Sequence, residues 1–164
     1  LKKEAPQVAA PPPPPAAPAP VAAPAVKWIK STKPNVKFIK PEGWNMTESG
    51  RWGVFKSPDG NAVLAFVGFN KPNESTYLIG KAARVLGVSR VRWTKSGRGF
   101  LGKDNFPART GNGVCDFGGV GYINYATVNP GGSDQLLIIY TVSARATSKH
   151  KAVVTATLNS LQRR

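Results

Sequence analysis

His150 and Cys115 are the only histidine and the only cysteine among the 164 residues, and that scarcity limits the chemistry open to the chain. A lone imidazole has no second histidine to work with, and it lies between Lys149 and Lys151 at the start of the last helix. It reads as a surface residue. A lone thiol excludes an internal disulfide and any multi-thiolate metal site, and with one histidine the structural zinc sets are excluded too. Cys115 sits in the alternating run Val114-Cys115-Asp116-Phe117 and reads as a small buried residue. Asp59 and Asp134 belong to turn sequences, while Asp104 and Asp116 are separated by strand and loop, so spacing assembles neither an acid pair nor a cation site. Gly97-x-Gly99-x-x-Gly102 has the spacing of a dinucleotide fingerprint, with Arg98 and Lys103 suited to phosphate. The sequence after it, Lys103-Asp104-Asn105-Phe106-Pro107, cannot open the helix that such a site requires. This piece reads as a mobile hairpin loop, and Gly111-Asn112-Gly113 as a turn. The expectation is a chain that is not an enzyme, with no catalytic residue, no cofactor and no metal.

Charge is the remaining signal. Lysine and arginine number 23 against 8 acids, a net charge of +15. Lys2, Lys3, Lys27, Lys30 and Lys33 against Glu4 give the first 34 residues +4 and leave +11 to the rest. Such an excess draws the protein to anionic surfaces without choosing among protein, nucleic acid, phospholipid and polysaccharide. Arg90 and Arg92 share a strand face, Arg98 and Lys103 lie on the adjoining loop, and Arg145, Lys149 and Lys151 crowd the entry to the last helix. Brought side by side, these residues make one site for an anionic partner; scattered, they are a solvated surface. Trp93 alternates with the two arginines, which places it on the opposite face as core rather than as a stacking platform. No recognised nucleic-acid motif is present, so the charge alone supports only non-specific binding.

The elements that must position these residues begin after a spacer. The proline run 11–15 is set in an almost uncharged Ala/Pro/Val stretch, residues 5–26. Proline fixes φ and lacks an amide donor, so this stretch favours extended polyproline II and spans about 60 to 70 Å. Residues 1–34 read as a tether and residues 35–164 as a single domain, large enough for one core. Val26, Trp28 and Ile29, with Lys27 and Lys30 interleaved, make an apolar anchor for a partner; the alternative is that Trp28 and Ile29 begin the domain by packing on its sheet.

Within the domain, an extended segment from Val36 to Lys40 leads to Pro41-Glu42-Gly43-Trp44. A hairpin comes next, with Trp52-Gly53-Val54-Phe55 and the apolar run 62–69 flanking the turn Ser57-Pro58-Asp59-Gly60. The second run is apolar on both faces, which argues for a covered central strand. Ser75 caps a helix that buries Leu78, Ala82, Val85 and Leu86 and stops at Gly87. Strands are expected at residues 90–95, 106–110, 113–117, 120–128 and 135–143, and Thr147 or Ser148 caps a closing helix with Val153, Val154, Leu158 and Leu161 inward. Strands separated by single helices fit an α+β domain with a largely antiparallel sheet.

The pattern Phe38-x-x-Pro41-x-Gly43-Trp44, then Trp52-x-Val54-Phe55-x-Ser57-Pro58-Asp59-Gly60 and an apolar strand, resembles the start of domains in the PsbP-like family. Residues 35–162 can be laid on that family's plan. The resemblance implies an α/β/α sandwich around an antiparallel sheet, a fold shared with a Ran-binding nuclear import factor. It also implies binding rather than catalysis, since members serve as accessory subunits of photosynthetic complexes in the thylakoid lumen and as secreted or lipid-anchored bacterial proteins. The Pro/Ala tail departs from the photosystem subunits.

These 164 residues contain no apolar run near the length of a membrane span and no secretory h-region. Leu1-Lys2-Lys3-Glu4 before Ala/Pro-rich sequence resembles the residues just past a cleaved signal or a lipidated cysteine in bacterial envelope proteins, or those just past a membrane helix. Both versions place the domain outside the cytoplasm, periplasmic or lumenal, reaching the membrane only by its tether. A cytosolic chain with a disordered tail is the alternative. The expected function is a tethered accessory module that docks an acidic protein partner in a membrane complex through Arg90, Arg92, Arg98, Lys103, Arg145, Lys149, Lys151, Trp28 and Ile29. The alternative function is a non-specific binder of nucleic acid or anionic cell-wall polymer.

Overall fold

The run Ala62–Phe69 needs cover on both sides, and two helices and a small second sheet supply it. The computed structural model describes residues 8–20 and 25–164. Residues 8–20, which hold the proline run, form no helix or strand; Leu1-Lys2-Lys3-Glu4 lies outside the described residues. The elements run in the order β1 (Trp28–Thr32), β2 (Asn35–Ile39), β3 (Asn45–Ser49), β4 (Trp52–Lys56), β5 (Ala62–Phe69), α1 (Glu74–Leu86), β6 (Ser89–Leu101), β7 (Phe106–Asp116), β8 (Val120–Val128), β9 (Gln135–Ser143), α2 (Thr147–Asn159) and β10 (Gln162–Arg163). The fold is α+β with antiparallel pairing throughout its main sheet.

Seven strands make that sheet in the order β3-β4-β5-β9-β8-β7-β6, and β1-β2-β10 form a second sheet. Alternation along β5 and β9 sends residues to two cores. Val54, Val63, Ala65, Leu137 and Ile139 meet Leu78, Ala82 and Leu86 of α1. On the other face Phe55, Leu64, Leu136 and Ile138 meet Val36 and Phe38 of the small sheet and Val154 and Leu161 at the chain's end. Each such side chain contributes about 1.5–3 kcal/mol by leaving water. Helix α1 ends as its sequence dictates, with Gly87 at φ 71° taking the left-handed cap and donating to the last carbonyls. It lies over β4, β5 and β9 and meets the start of β6, which leaves open the part of the β8-β7-β6 face where Arg98 and Arg109 stand.

Several sequence readings change. Trp28–Thr32, placed in the tether, pairs in register with Asn35–Ile39, so the boundary drawn at 34/35 moves back to about residue 27. Ile29 packs against the core from β1, whereas Trp28 stays 38% exposed beneath the Lys37 ammonium. The expected hairpin loop at Gly97 and Gly99 is strand, since β6 runs unbroken to Leu101 and the chain turns at residues 102–105. Gly111 and Gly113 are likewise inside β7 rather than at a turn. The ring of Tyr125 lies where a Gly111 side chain would stand, and a Cβ at Gly113 would meet the Arg92 carbonyl oxygen at 2.6 Å, so glycine is required here by close packing. Neither helix takes the expected cap. Asn73 precedes α1 and Ala146 precedes α2, and the Thr147 hydroxyl donates backward to the carbonyls of Ser143 and Ala144.

Candidate functional site

The scarce reactive residues are all engaged in structure. Cys115 is buried with its Sγ 3.5 Å from Thr141 Oγ1, and burial pushes its thiol pKa up, away from the reactive thiolate. Asp104 precedes β7 and Asp116 ends it, so the strand holds them roughly 35 Å apart. Asp104 accepts from the Arg163 amide, and Asp116 pairs with Arg90. Among the described residues, no three His, Cys, Asp or Glu side chains converge as a metal site. No helix among them is long and apolar enough to cross a membrane.

His150 corrects the sequence reading most sharply. It is 4% exposed, packed edge-on to Trp44, with its Nε2 3.0 and 3.1 Å from the two oxygens of Asp59. An ionised carboxylate only accepts, so Nε2 carries the hydrogen. Asp59 also accepts from Ser57 Oγ at 2.7 Å, from the Asn61 amide at 3.0 Å and from Lys149 Nζ at 2.9 Å. A residue that reads as a plain turn aspartate thus pins α2 to the β4–β5 connection. These donors, led by Ser57 and then Lys149, hold its carboxyl well below the usual range. A depressed folded pKa contributes stability that is present above the unfolded value near 4 and is lost as pH falls below it. Asp59→Ala is expected to cost about 2 kcal/mol at neutral pH, because it leaves buried donors unpartnered. In urea titrations the variant should also lose less stability than the parent between pH 5 and 2.

The basic residues are divided among five places. Arg145 donates to Asn61 Oδ1 and Lys149 to Asp59, so both are tied to the β4–β5 turn. Arg90 has φ 50° beside a register shift and is ion-paired with Asp116. Arg92 stands opposite Val114, which lines a hollow against α2 together with Lys151. Lys103 is exposed in the β6–β7 turn. The bulges in β6 break the alternation read from the sequence, and Trp93 is 38% exposed rather than core. Arg98 alone of the expected set faces the open part of the sheet beside α1, so the set does not form one patch.

That open part is nevertheless a built site. Arg98 pairs directly across the hairpin with Arg109, which the sequence reading missed. The two guanidinium side chains stand on one face, where like charges on opposed strand positions repel unless an anion lies between them. Both line a cavity of about 640 Å³ bounded by Ser75 of α1, Phe100, Thr127 and Gln135. A neighbouring hollow shares Arg98 and Arg109 with it, a further one shares Ser96 and Tyr125 with that hollow, and the three adjoin as a trough. Tyr125, whose ring packs over Gly111, lines two of these hollows, and Trp93 meets it edge-on at 5.1 Å. Phe100 is 72% exposed on the rim. None of the described lining residues is acidic. Continuous strands on both sides of the turn at 102–105 would have revealed the Arg98–Arg109 pair, but reading Gly97 and Gly99 as loop hid it.

Against known proteins, no family model matches the chain, nor does any curated protein match its sequence. Among solved structures it is similar to the cyanobacterial PsbP, CyanoP, of Synechocystis sp. PCC 6803, at a TM-score of 0.63 and 10% identity, covering 91% of this chain and 98% of that one. It is similar to LpqN, involved in cell envelope biogenesis of Mycobacterium tuberculosis, at a TM-score of 0.50 and 14% identity, covering 84% and 90%. The Ran-binding protein Mog1p of Saccharomyces cerevisiae stands at 0.49 and 8% identity, covering 84% and 95%, a score too low to argue from. The domain therefore has the PsbP-like fold that its Phe-Pro-Gly-Trp segment and first hairpin anticipate.

Proposed function

We propose that this chain is a non-catalytic binding module, held outside the cytoplasm on its Pro/Ala tether, that docks onto an acidic face of a membrane-associated protein complex. The observation that carries this reading is the Arg98–Arg109 pair in a trough whose described lining has no carboxylate. Only Arg51, Arg90 and Lys149 among the described lysines and arginines form ion pairs with carboxylates, so most of the positive charge faces outward. The likeness to CyanoP and to an envelope-biogenesis protein supports a binding role outside the cytoplasm. An extended, proline-rich tether costs little entropy to order and lets the domain reach a partner at a distance.

The test is purification from the native membrane in mild detergent, at low and moderate salt. It compares the whole chain, a chain lacking residues 1–27 and the double variant Arg98→Glu/Arg109→Glu. A defined complex is expected with the whole chain, weakened without the tether and reduced at least tenfold by the double variant, with folding intact by circular dichroism. Recovery only of nucleic acid or wall polymer, lost in salt and indifferent to the tether, would overturn the reading in favour of a polyanion binder.

A further inference from the structure

We infer that the outer edge of β6, over residues 95–101, takes an extended acidic segment of the partner protein as an added strand. This rests on the acidic-partner reading and names how the partner engages. Strand β6 is the last in its sheet, and no described strand pairs with its outer side. Its first half is bulged, with register shifts between Ser89 and Arg92 and between Trp93 and Lys95. From Lys95 to Leu101 the pairing with β7 is regular, which leaves about 24 Å of straight edge with alternate N–H and C=O groups pointing away from the sheet. Gly97 and Gly99 lie in this stretch, and a Cβ at Gly99 would meet nothing within 4 Å, so another backbone can approach closely.

Charge selects the occupant. A second copy pairing antiparallel over residues 95–101 would set Arg98 directly against the same arginine of its neighbour, and like charges opposed across strands destabilise. The chain's own tether cannot serve, because its prolines have no amide hydrogen to donate. An incoming strand with acidic residues at every second position places them on the face of Arg98. Arg109 lies about 10 Å from that strand, one strand further in, a gap that two long side chains bridge. The main chain thus supplies affinity, and the arginine pair supplies the register and the preference for acid.

The test uses the full chain and a peptide of alternating glutamate and valine or threonine, eight residues long. Two further versions carry N-methyl groups on one or the other alternate set of amides at unchanged charge, and a fourth has lysine in place of glutamate. The parent peptide is expected to bind in calorimetry, and on binding the exchange of amides in residues 95–101 should slow. One N-methylated version should bind at least tenfold more weakly and the other within threefold, because only one set of amides faces β6. Equal binding of the parent and both N-methylated versions would sink strand addition while leaving the acidic-partner reading intact, as would absence of peptide binding alongside an Arg98- and Arg109-dependent native complex. Binding of the lysine peptide as tightly as the parent would overturn both.

Discussion

Phe55→Ala is expected to lower the unfolding free energy by about 3–5 kcal/mol, the range for truncating a fully buried aromatic. Phe55 has no exposure, and its ring stacks on Phe66 with centroids 5.7 Å apart and meets Phe38 edge-on at 6.2 Å. Phe38 belongs to the small sheet, while Phe55 and Phe66 belong to the main one, so the loss falls where the two sheets join. The surrounding strands are held by ladder hydrogen bonds and cannot close on the cavity. Chemical denaturation should show a lower midpoint with an unchanged slope. A cost below about 1 kcal/mol would mean that the two sheets are not packed through these rings.

Gly68→Ala should cost about 3 kcal/mol or more, although it adds one methyl group. A Cβ at Gly68 would lie inside van der Waals contact with the Lys33 carbonyl oxygen and 3.0 Å from its carbon. Both are backbone atoms of the β1–β2 connection, so relief requires the small sheet to lift. The Gly68 carbonyl is itself fixed by a 2.6 Å hydrogen bond from Arg51 Nη2. Gly80→Ala is the matched control. It lies in α1 with nothing within 4 Å of an added Cβ, and there the same change should stabilise by roughly 0.5–1 kcal/mol through helix propensity. Opposite signs in thermal melts of the two variants would separate backbone crowding from propensity.

The parts of this fold legible in the sequence are those where one residue carries one message. The turn Ser57-Pro58-Asp59-Gly60 with its apolar flanks gave β4 and β5, and the helical period with a terminal glycine gave α1. Strand β3 left no signal because all five of its residues are exposed, and it pairs only through its backbone with β4. The glycines of β6 and β7 carry two opposite messages. As breakers they mark loops, but all four lie inside strands, Gly111 beneath the Tyr125 ring and Gly113 against the Arg92 carbonyl, and only the tertiary structure decides which applies. His150 fails for a related reason. Its neighbours in sequence are lysines, whereas its neighbour in space is Asp59, 91 residues away. The trough was half visible, since Arg98 stood out by charge while Arg109 required the hairpin register.

The arrangement of β1 sets what happens when the tether is pulled. Lys40 donates to the Lys27 carbonyl at 2.8 Å where the tether enters, and Trp28 pairs with Ile39 just beyond it. Tension from the tether therefore reaches the β1–β2 ladder at its open end and breaks its bonds one after another, the weaker of the two ways to load a pair of strands. β1 has no fully buried side chain and only Ile29 of it packs against a core, so peeling it gives up one partly buried apolar contact. Its release with the following turn frees seven residues, 28–34, roughly 23 Å of chain. Under such a load β1 would give way first, lengthening the N-terminal segment while the sheet that carries Arg98 and Arg109 stays folded.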